Sequence, residues 1–429
     1  MYRPVRAVEV YVWGKRAGAV ALDPKLGYYA FEYDPEFVAT RIELAPLSMP
    51  LAAARDPYVF PSLPELTYRR LPALLADSLP DDFGSALIDA WMASHGVAQT
   101  AITSLDRLAY MGKRGLGALE FKPARGPSMK SSTPIKLSGL VESARLAVSG
   151  NIGADGHTSA ALTQIIRVGT SAGGARAKAV IAWNPKSNEI RAGQFDVGRG
   201  FEHWMLKFDG LRANEALGDP QGYGRIEYAY HLMARAAGMT LPPAHLLEES
   251  GRAHFMSKRF DRTHNTRHHV QTLCAMGHLD YRQKATHDAS QLFQVMNQLG
   301  LGYADLEEAF RRIAFNVMAA NCDDHTKNTS FILRAGGSWE LAPAYDVTHA
   351  HNPHGEWTSQ HLLGVNGKFT GISSHDLLQV ADRFAIGSAP KVLQQVADAV
   401  SAWPDFAQKA QLDIKTIARI RQDHRTLAL

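Results

Sequence analysis

Cysteine is nearly absent from this chain. Only Cys274 and Cys322 occur among 429 residues, which excludes a disulfide framework and points to a reducing compartment, the cytoplasm. Long apolar runs are missing as well. No segment approaches the roughly 18 uninterrupted apolar residues of a membrane span, and Met1-Tyr2-Arg3-Pro4-Val5-Arg6 leads into an amphipathic strand rather than a signal-peptide core. A cytoplasmic protein with no membrane partner is expected. Charge of one sign is not in excess: 46 Lys and Arg against 42 Asp and Glu leave +4, which permits acidic partners such as nucleotides or DNA without demanding them. There is neither an internal repeat nor a coiled coil, which sets solenoids and rods aside. The 18 histidines raise the question of a metal. His264, His268, His269, His278 and His287 fall in one region and His349, His351 and His354 in another. Neither group carries His-Glu-x-x-His or a cysteine pair at ligand spacing. Both stretches read as polar loops, so structural or surface roles are expected.

What is present is an ordinary soluble composition, 45% hydrophobic and 21% charged, in a chain long enough for two or three domains or lobes. The opening third alternates as strands at Val8–Trp13, Ala17–Leu22 and Tyr28–Tyr33. Helical patterns follow at Leu71–Leu79 and Phe83–Ser94, and Gly115–Phe121 returns to strand. Lys122–Pro134, rich in Pro, Gly and Ser, reads as a linker. Beyond it come a helix at Leu137–Ala147 and strands at Ala179–Trp183 and His203–Phe208. A helical stripe at Tyr228–Ala237 is capped by Gly238. From about Ser290 the patterns are mainly helical, including Leu292–Leu299 and Tyr303–Ala320. Strand-rich segments followed by helix-rich ones predict an α+β fold. The expected divisions are 1–122, a linker at 123–134, 135–262 and 263–429.

The most informative stretch is Asn321-Cys322-Asp323-Asp324-His325-Thr326-Lys327-Asn328, followed by Ala344-Tyr345-Asp346. Phosphoryl transfer in protein kinases uses these residue types in this order: an Asp that accepts the hydroxyl proton, an Asn five residues on that holds Mg²⁺, and a later Asp that completes the metal site. A helix before the loop and a hairpin around Gly336-Gly337 after it agree with that logic. Taken singly, each Asp or Asn is a common turn residue; the constellation carries the reading. A phosphate cradle would be Gly169–Lys178, whose glycines let amides approach anionic oxygens. It lacks the Gly-Lys-Ser/Thr ending of a P-loop, and a plain flexible loop is an equal reading. Lys207, inside an apolar strand, either reaches a nucleotide phosphate or faces solvent. A small-molecule kinase of the aminoglycoside or sugar type would share the Asp-x4-Asn loop. A catalytically inert module that only binds a protein partner and DNA is the alternative from another class. A hydrolase built on Ser171 lacks the Gly-x-Ser-x-Gly elbow.

Taken together, these residues resemble the HipA family of bacterial serine/threonine-protein kinases, the toxins of type II toxin–antitoxin pairs. The matching pieces are Ser171–Lys178, Trp204–Phe208, Glu227-Tyr228 opening a helix, Ser257–Arg262, Asp323–Asn328 and Ala344–Asp346. The resemblance implies a bilobal protein-kinase-like fold. A small N-terminal subdomain would precede a mixed-sheet N-lobe over 135–262 and a mainly helical C-lobe over 263–429. It implies ATP and Mg²⁺, with Asp323 as general base and Asn328 and Asp346 on the metal. Lys207 and the loop Gly173, Gly174, Ala175, Arg176, Ala177 and Lys178 would contact the phosphates. Lys258, Arg259 and Phe260 would mark a hinge meeting adenine mainly through backbone groups. His325, Thr326, Lys327 and Tyr345 would line the rest of the ATP site. Ser171 would be autophosphorylated, expelling its loop, because a phosphate of about −1.5 to −2 charges cannot share the cleft with ATP. The implied partners are a protein substrate such as glutamyl-tRNA synthetase, a HipB-like helix-turn-helix antitoxin, and DNA only through that antitoxin. Two departures stand out. The family's Asp-Gly-His is Asp323-Asp324-His325 here, which would raise the Asp323 pKa if both carboxylates face the cleft. Arg176 stands where polar or acidic residues are usual. Glu227 either pairs with Lys207 or serves the helix dipole.

Overall fold

Alternating burial along Ala7–Val12, with Val8, Val10 and Val12 inward, sets up the first sheet. In this computed structural model, which describes residues 2–80, 82–127, 134–148, 176–212 and 222–427, that sheet is antiparallel. Its strands run Tyr28–Tyr33, Lys15–Asp23, Ala7–Val12 and Leu119–Lys122 from edge to edge. Val8 faces Val20, Val20 faces Phe31, and Val10 faces Phe121, so one apolar face is continuous across all four strands. Gly18 is dictated by this packing, since an added Cβ would sit 2.1 Å from the Glu32 carbonyl oxygen. The last strand is shorter than its pattern suggested, starting at Leu119 because Gly117 takes φ +80° and turns the chain. The helix expected over Leu71–Leu79 shrinks to Ala73–Ala76, bounded by Pro72 and followed by Pro80. Its leucines are buried all the same; the apolar run reported burial rather than helix length.

A five-stranded sheet follows, in the order Ile190–Ala192, Arg176–Trp183, Glu202–Arg212, Arg252–Lys258 and Ala244–Glu249. Just past Lys258 a buried ion cluster ties this sheet to the first one. Asp261 accepts from Arg259 (2.6 and 2.8 Å), from Arg262 and from the Gly117 amide (2.8 Å). Burial by itself favours the neutral acid, but the two guanidiniums hold Asp261 well below the ordinary carboxylate range.

By its internal contacts the chain forms two units. One comprises Met1–Gln221, Leu247–Gln271 and Leu333–Gly337; the other comprises Gly222–Leu246, Thr272–Ile332 and Ser338–Leu429. The first unit holds 1–122 and the five-stranded sheet apart from Ala244–Leu246 of its edge strand. The second unit is mainly helical: Tyr223–Ala236, Ala289–Gln298, Tyr303–Met318, Ser374–Arg383, Ala389–Ser401 and Ile414–Asp423 are its longer helices. Tyr230, Phe293, Phe310 and Phe315 on these helices are fully buried, and Tyr230 packs edge-on against Phe315 and against Trp403 of the short helix Trp403–Lys409. The class is the expected α+β.

The histidines depart from the polar-loop expectation. His269 and His287 lie buried in short strands, where Nε2 of each sits at hydrogen-bond distance from a backbone oxygen, Leu44 at 3.1 Å and Asp280 at 2.9 Å. Among the described residues, no three His, Cys, Asp or Glu side chains are disposed to hold a metal ion. No helix among them is long and apolar enough to cross a membrane.

Candidate functional site

The helix Tyr303–Met318 buries Phe310, Ala314, Phe315 and Val317 and delivers the chain to Ala320, which takes a left-handed φ of +54°. Asn321 then folds back, its amide and side chain both donating to Asn316, to the backbone oxygen at 3.0 Å and to Oδ1 at 2.9 Å. From there the loop alternates. Cys322 and Asp324 are buried, whereas the Asp323 side chain between them is 48% exposed. Asn328 donates its Nδ2 to the Asp323 carbonyl at 2.6 Å, closing the Asp-x4-Asn loop on itself. Thr326 Oγ1 donates to Leu279 O at 2.6 Å, and Tyr345 donates its hydroxyl to Lys327 O at 2.6 Å. The loop thus holds the Asp323 carboxylate half in solvent on a backbone braced at three points.

Asp346 adopts a left-handed backbone, φ +53°, an uncommon conformation for a residue with a Cβ. Asn328, Tyr345 and Asp346 line one cavity together with Arg312, Asn316 and Asn321. An amide oxygen and a carboxylate on one cavity wall suit a hard cation that takes its remaining oxygens from phosphate and water.

Asp323 is not among the residues that line this cavity, but Asp324 is. Oδ2 of Asp324 lies 2.8 Å from His361 Nδ1, and its Oδ1 accepts from the amides of Leu362 (2.7 Å) and Leu363 (3.2 Å). Burial alone would suppress charge on His361, but the Asp324 carboxylate beside it raises the imidazole to about 10. His325 Nε2 stands 3.8 Å from Asp323 Oδ1, and its ring lies against Tyr281, a residue that no motif had singled out.

In the other unit, Lys178 lies directly opposite Lys207, and Lys207 opposite Phe255, so all three side chains leave the same sheet face. Lys178 is buried, while Lys207 Nζ lies 5.8 Å from the Phe255 ring centroid. Ala177 is buried beside Lys178 on the same strand. Lys258 donates to Glu202 at 2.7 Å. The Arg259 guanidinium is taken up by Asp261, and its amide donates to His203 O at 2.9 Å. Phe260 is half-buried. Ser171, Gly173, Gly174 and Ala175 lie outside the described residues. Of Arg176 the structure describes the backbone, which opens the Arg176–Trp183 strand. Glu227 does not open its helix, which begins at Tyr223; it is a buried residue one turn inside.

Antiparallel sheets, a mainly helical unit and an Asp-x4-Asn loop leading through a hairpin to a second Asp define a protein with a kinase-like fold. The HipA N-terminal domain model matches residues 8–122 and the HipA-like C-terminal domain model residues 170–404, and the chain belongs to the HipA family. Its fold is that of the Shewanella oneidensis HipA toxin, solved with HipB and operator DNA. That match has a TM-score of 0.69 at 17% identity and covers 97% of this chain and 95% of that one. Among curated proteins it is 28% identical over 194 residues to Y4dM of Sinorhizobium fredii, whose name proposes a kinase. That alignment takes in 42% of this chain and 45% of Y4dM, so the chain spans less than half the length of this relative.

Proposed function

We propose that this protein is an ATP-dependent protein serine/threonine kinase that serves as the toxin of a HipA-type pair. The observation that carries the reading is the Asp323–Asn328 loop. It presents one exposed carboxylate and pins its own backbone with the Asn that the chemistry also needs. In the proposed reaction Asp323 accepts the proton of a substrate serine hydroxyl. That oxygen bonds to the γ-phosphorus of ATP as the bond to the β–γ bridging oxygen breaks and ADP departs. Asn328 and Asp346 would hold Mg²⁺, which when bound neutralises charge on the phosphate oxygens. Lys207 would contact the triphosphate, with Gly173 to Lys178 as the phosphate loop. Lys258 to Phe260 would form the hinge and meet adenine through backbone groups.

By its family the protein would limit itself through phosphorylation of Ser171 and arrest growth by modifying an aminoacyl-tRNA synthetase of the glutamyl type in the cytoplasm. A HipB-like antitoxin would hold it, with DNA engaged through that partner; the composition of the Shewanella complex supports this.

The test is incubation of purified protein with γ-labelled ATP and Mg²⁺, mapping of phosphate by mass spectrometry, and Asp323→Ala as control. Label on Ser171 that falls by about 10²- to 10⁴-fold in the variant is expected. ATP binding without transfer to any protein hydroxyl, from a sample whose Ser171 starts unmodified, would overturn the reading.

A further inference from the structure

We propose that Tyr281 is a positioning residue for phosphoryl transfer, its ring forming the support on which His325 and Lys327 are set beside Asp323. The inference rests on the kinase reading above and adds a residue that the motif does not contain. The segment carrying Tyr281 is built as a brace for the loop. The Leu273 amide donates to Thr329 O at 2.8 Å, and Thr326 Oγ1 donates to Leu279 O at 2.6 Å, so the two chains are tied at two points. Beyond Leu279 the backbone is locked again. Asp280 accepts from the Arg282 amide through Oδ1 (3.0 Å) and from the Gln283 amide through its carbonyl (3.1 Å), and His287 Nε2 lies 2.9 Å from that same carbonyl. Tyr281 therefore projects from a fixed turn.

Two residues of the loop converge on its ring. The His325 imidazole lies with its centroid 5.3 Å away at 58°, and the Lys327 ammonium lies 4.8 Å from the ring centroid. The Arg282 guanidinium adds a second cation at 5.2 Å. A lysine on four methylenes samples many directions in water. An aromatic face attracts its ammonium and narrows that sampling without neutralising the charge, as a carboxylate would. The Lys327 charge thus stays available to an anionic substrate, on the residue that directly precedes Asn328 in the loop. His325, 3.8 Å from Asp323 through Nε2, is steadied by the same ring.

The test compares Tyr281→Leu, which keeps bulk and loses the aromatic face, with Tyr281→Phe, which keeps the ring. Three readouts are taken: steady-state phosphotransfer, thermal unfolding, and the His325 ring-proton resonance in nucleotide-free protein. Expected is a fall in kcat of about 3- to 30-fold for Tyr281→Leu at an unchanged melting temperature, with Phe restoring the rate. In a Lys327→Met background, Tyr281→Leu should cost less than it does alone. The His325 resonance should lose its ring-current shift in Leu and keep it in Phe. Equal damage by Leu and Phe, an additive loss with Lys327→Met, or an unmoved His325 resonance would overturn the proposal. Wild-type protein that binds ATP and transfers nothing would overturn the kinase reading instead, and the His325 resonance would still decide whether Tyr281 holds that ring.

Discussion

Asp324 sits beside the carboxylate that the proposed chemistry uses, yet its oxygens are spent on His361 and on the amides of Leu362 and Leu363. Both side chains of this ion pair are buried, at 7% and 1% exposure, so removing Asp324 leaves a buried imidazole without the partner that holds its charge. Asp324→Ala is expected to lower stability by about 3–5 kcal/mol, measured by urea unfolding; a loss below about 1 kcal/mol would show that the pair contributes little. The sequence displayed Asp323 and Asp324 as neighbours and left open whether both face one cleft. What it could not display was their divergence, because the partner that turns Asp324 inward is 37 residues further on. The Asp-x4-Asn spacing was legible for the opposite reason: Asn328 closes onto the Asp323 carbonyl within the loop, so the motif carries its own geometry.

Among the elements, the C-terminal helix Ile414–Asp423 has a role that its amphipathic pattern did not announce. At its end, Asp423 lies within ion-pair distance of His349 (2.8 Å) and His351 (3.0 Å), which follow Asp346 in the chain. Just beyond it, the Arg425 amide donates to Met318 O at 2.8 Å, and His424 Nε2 lies 2.9 Å from the Tyr230 hydroxyl. That hydroxyl donates to Ala319 O at 2.6 Å, immediately before the left-handed turn into the Asp323 loop. The chain terminus therefore braces the loop's first residues and the segment after Asp346 at once. Tyr230→Phe would leave the buried Ala319 carbonyl and His424 ring without this partner, at a cost of about 1–3 kcal/mol. The same change should speed hydrogen exchange at the Asn321 amide, which donates to Asn316 O; an exchange rate equal to wild type would argue that the turn stands without the tyrosine. The helices Ala289–Gln298 and Tyr303–Met318 were legible from their period, since each buries one face. The brace was not, because it is made of backbone carbonyls and single polar atoms far apart in sequence.

Across the whole molecule, buried histidines set how stability follows pH. Burial lowers His231, His254, His269 and His424 from the ordinary 6.5 to about 4 each. Their unfolded counterparts take a proton near 6.5, so between 6.5 and about 4 the unfolded chain binds more protons, and stability falls as pH falls through that window. His361 has the opposite sign. It holds its proton to about 10 in the folded protein against 6.5 unfolded, so its contribution is complete below 6.5 and is lost as pH rises toward 10. Burial lowers His203, His278 and His349 as well, so among the described histidines seven act on the acid side and His361 on the alkaline side. The melting temperature should therefore peak near neutrality, drop steeply between pH 6.5 and 4, and decline more gently toward pH 10. Scanning calorimetry across that range reads both limbs in one series, and Asp324→Asn separates them. Without the carboxylate that raises His361, the alkaline decline should flatten and the acid limb should steepen, because burial alone would bring His361 below 6.5 with the other histidines. A flat profile from pH 7 to 4.5 would mean that these histidines reach solvent and take their protons while the chain is still folded.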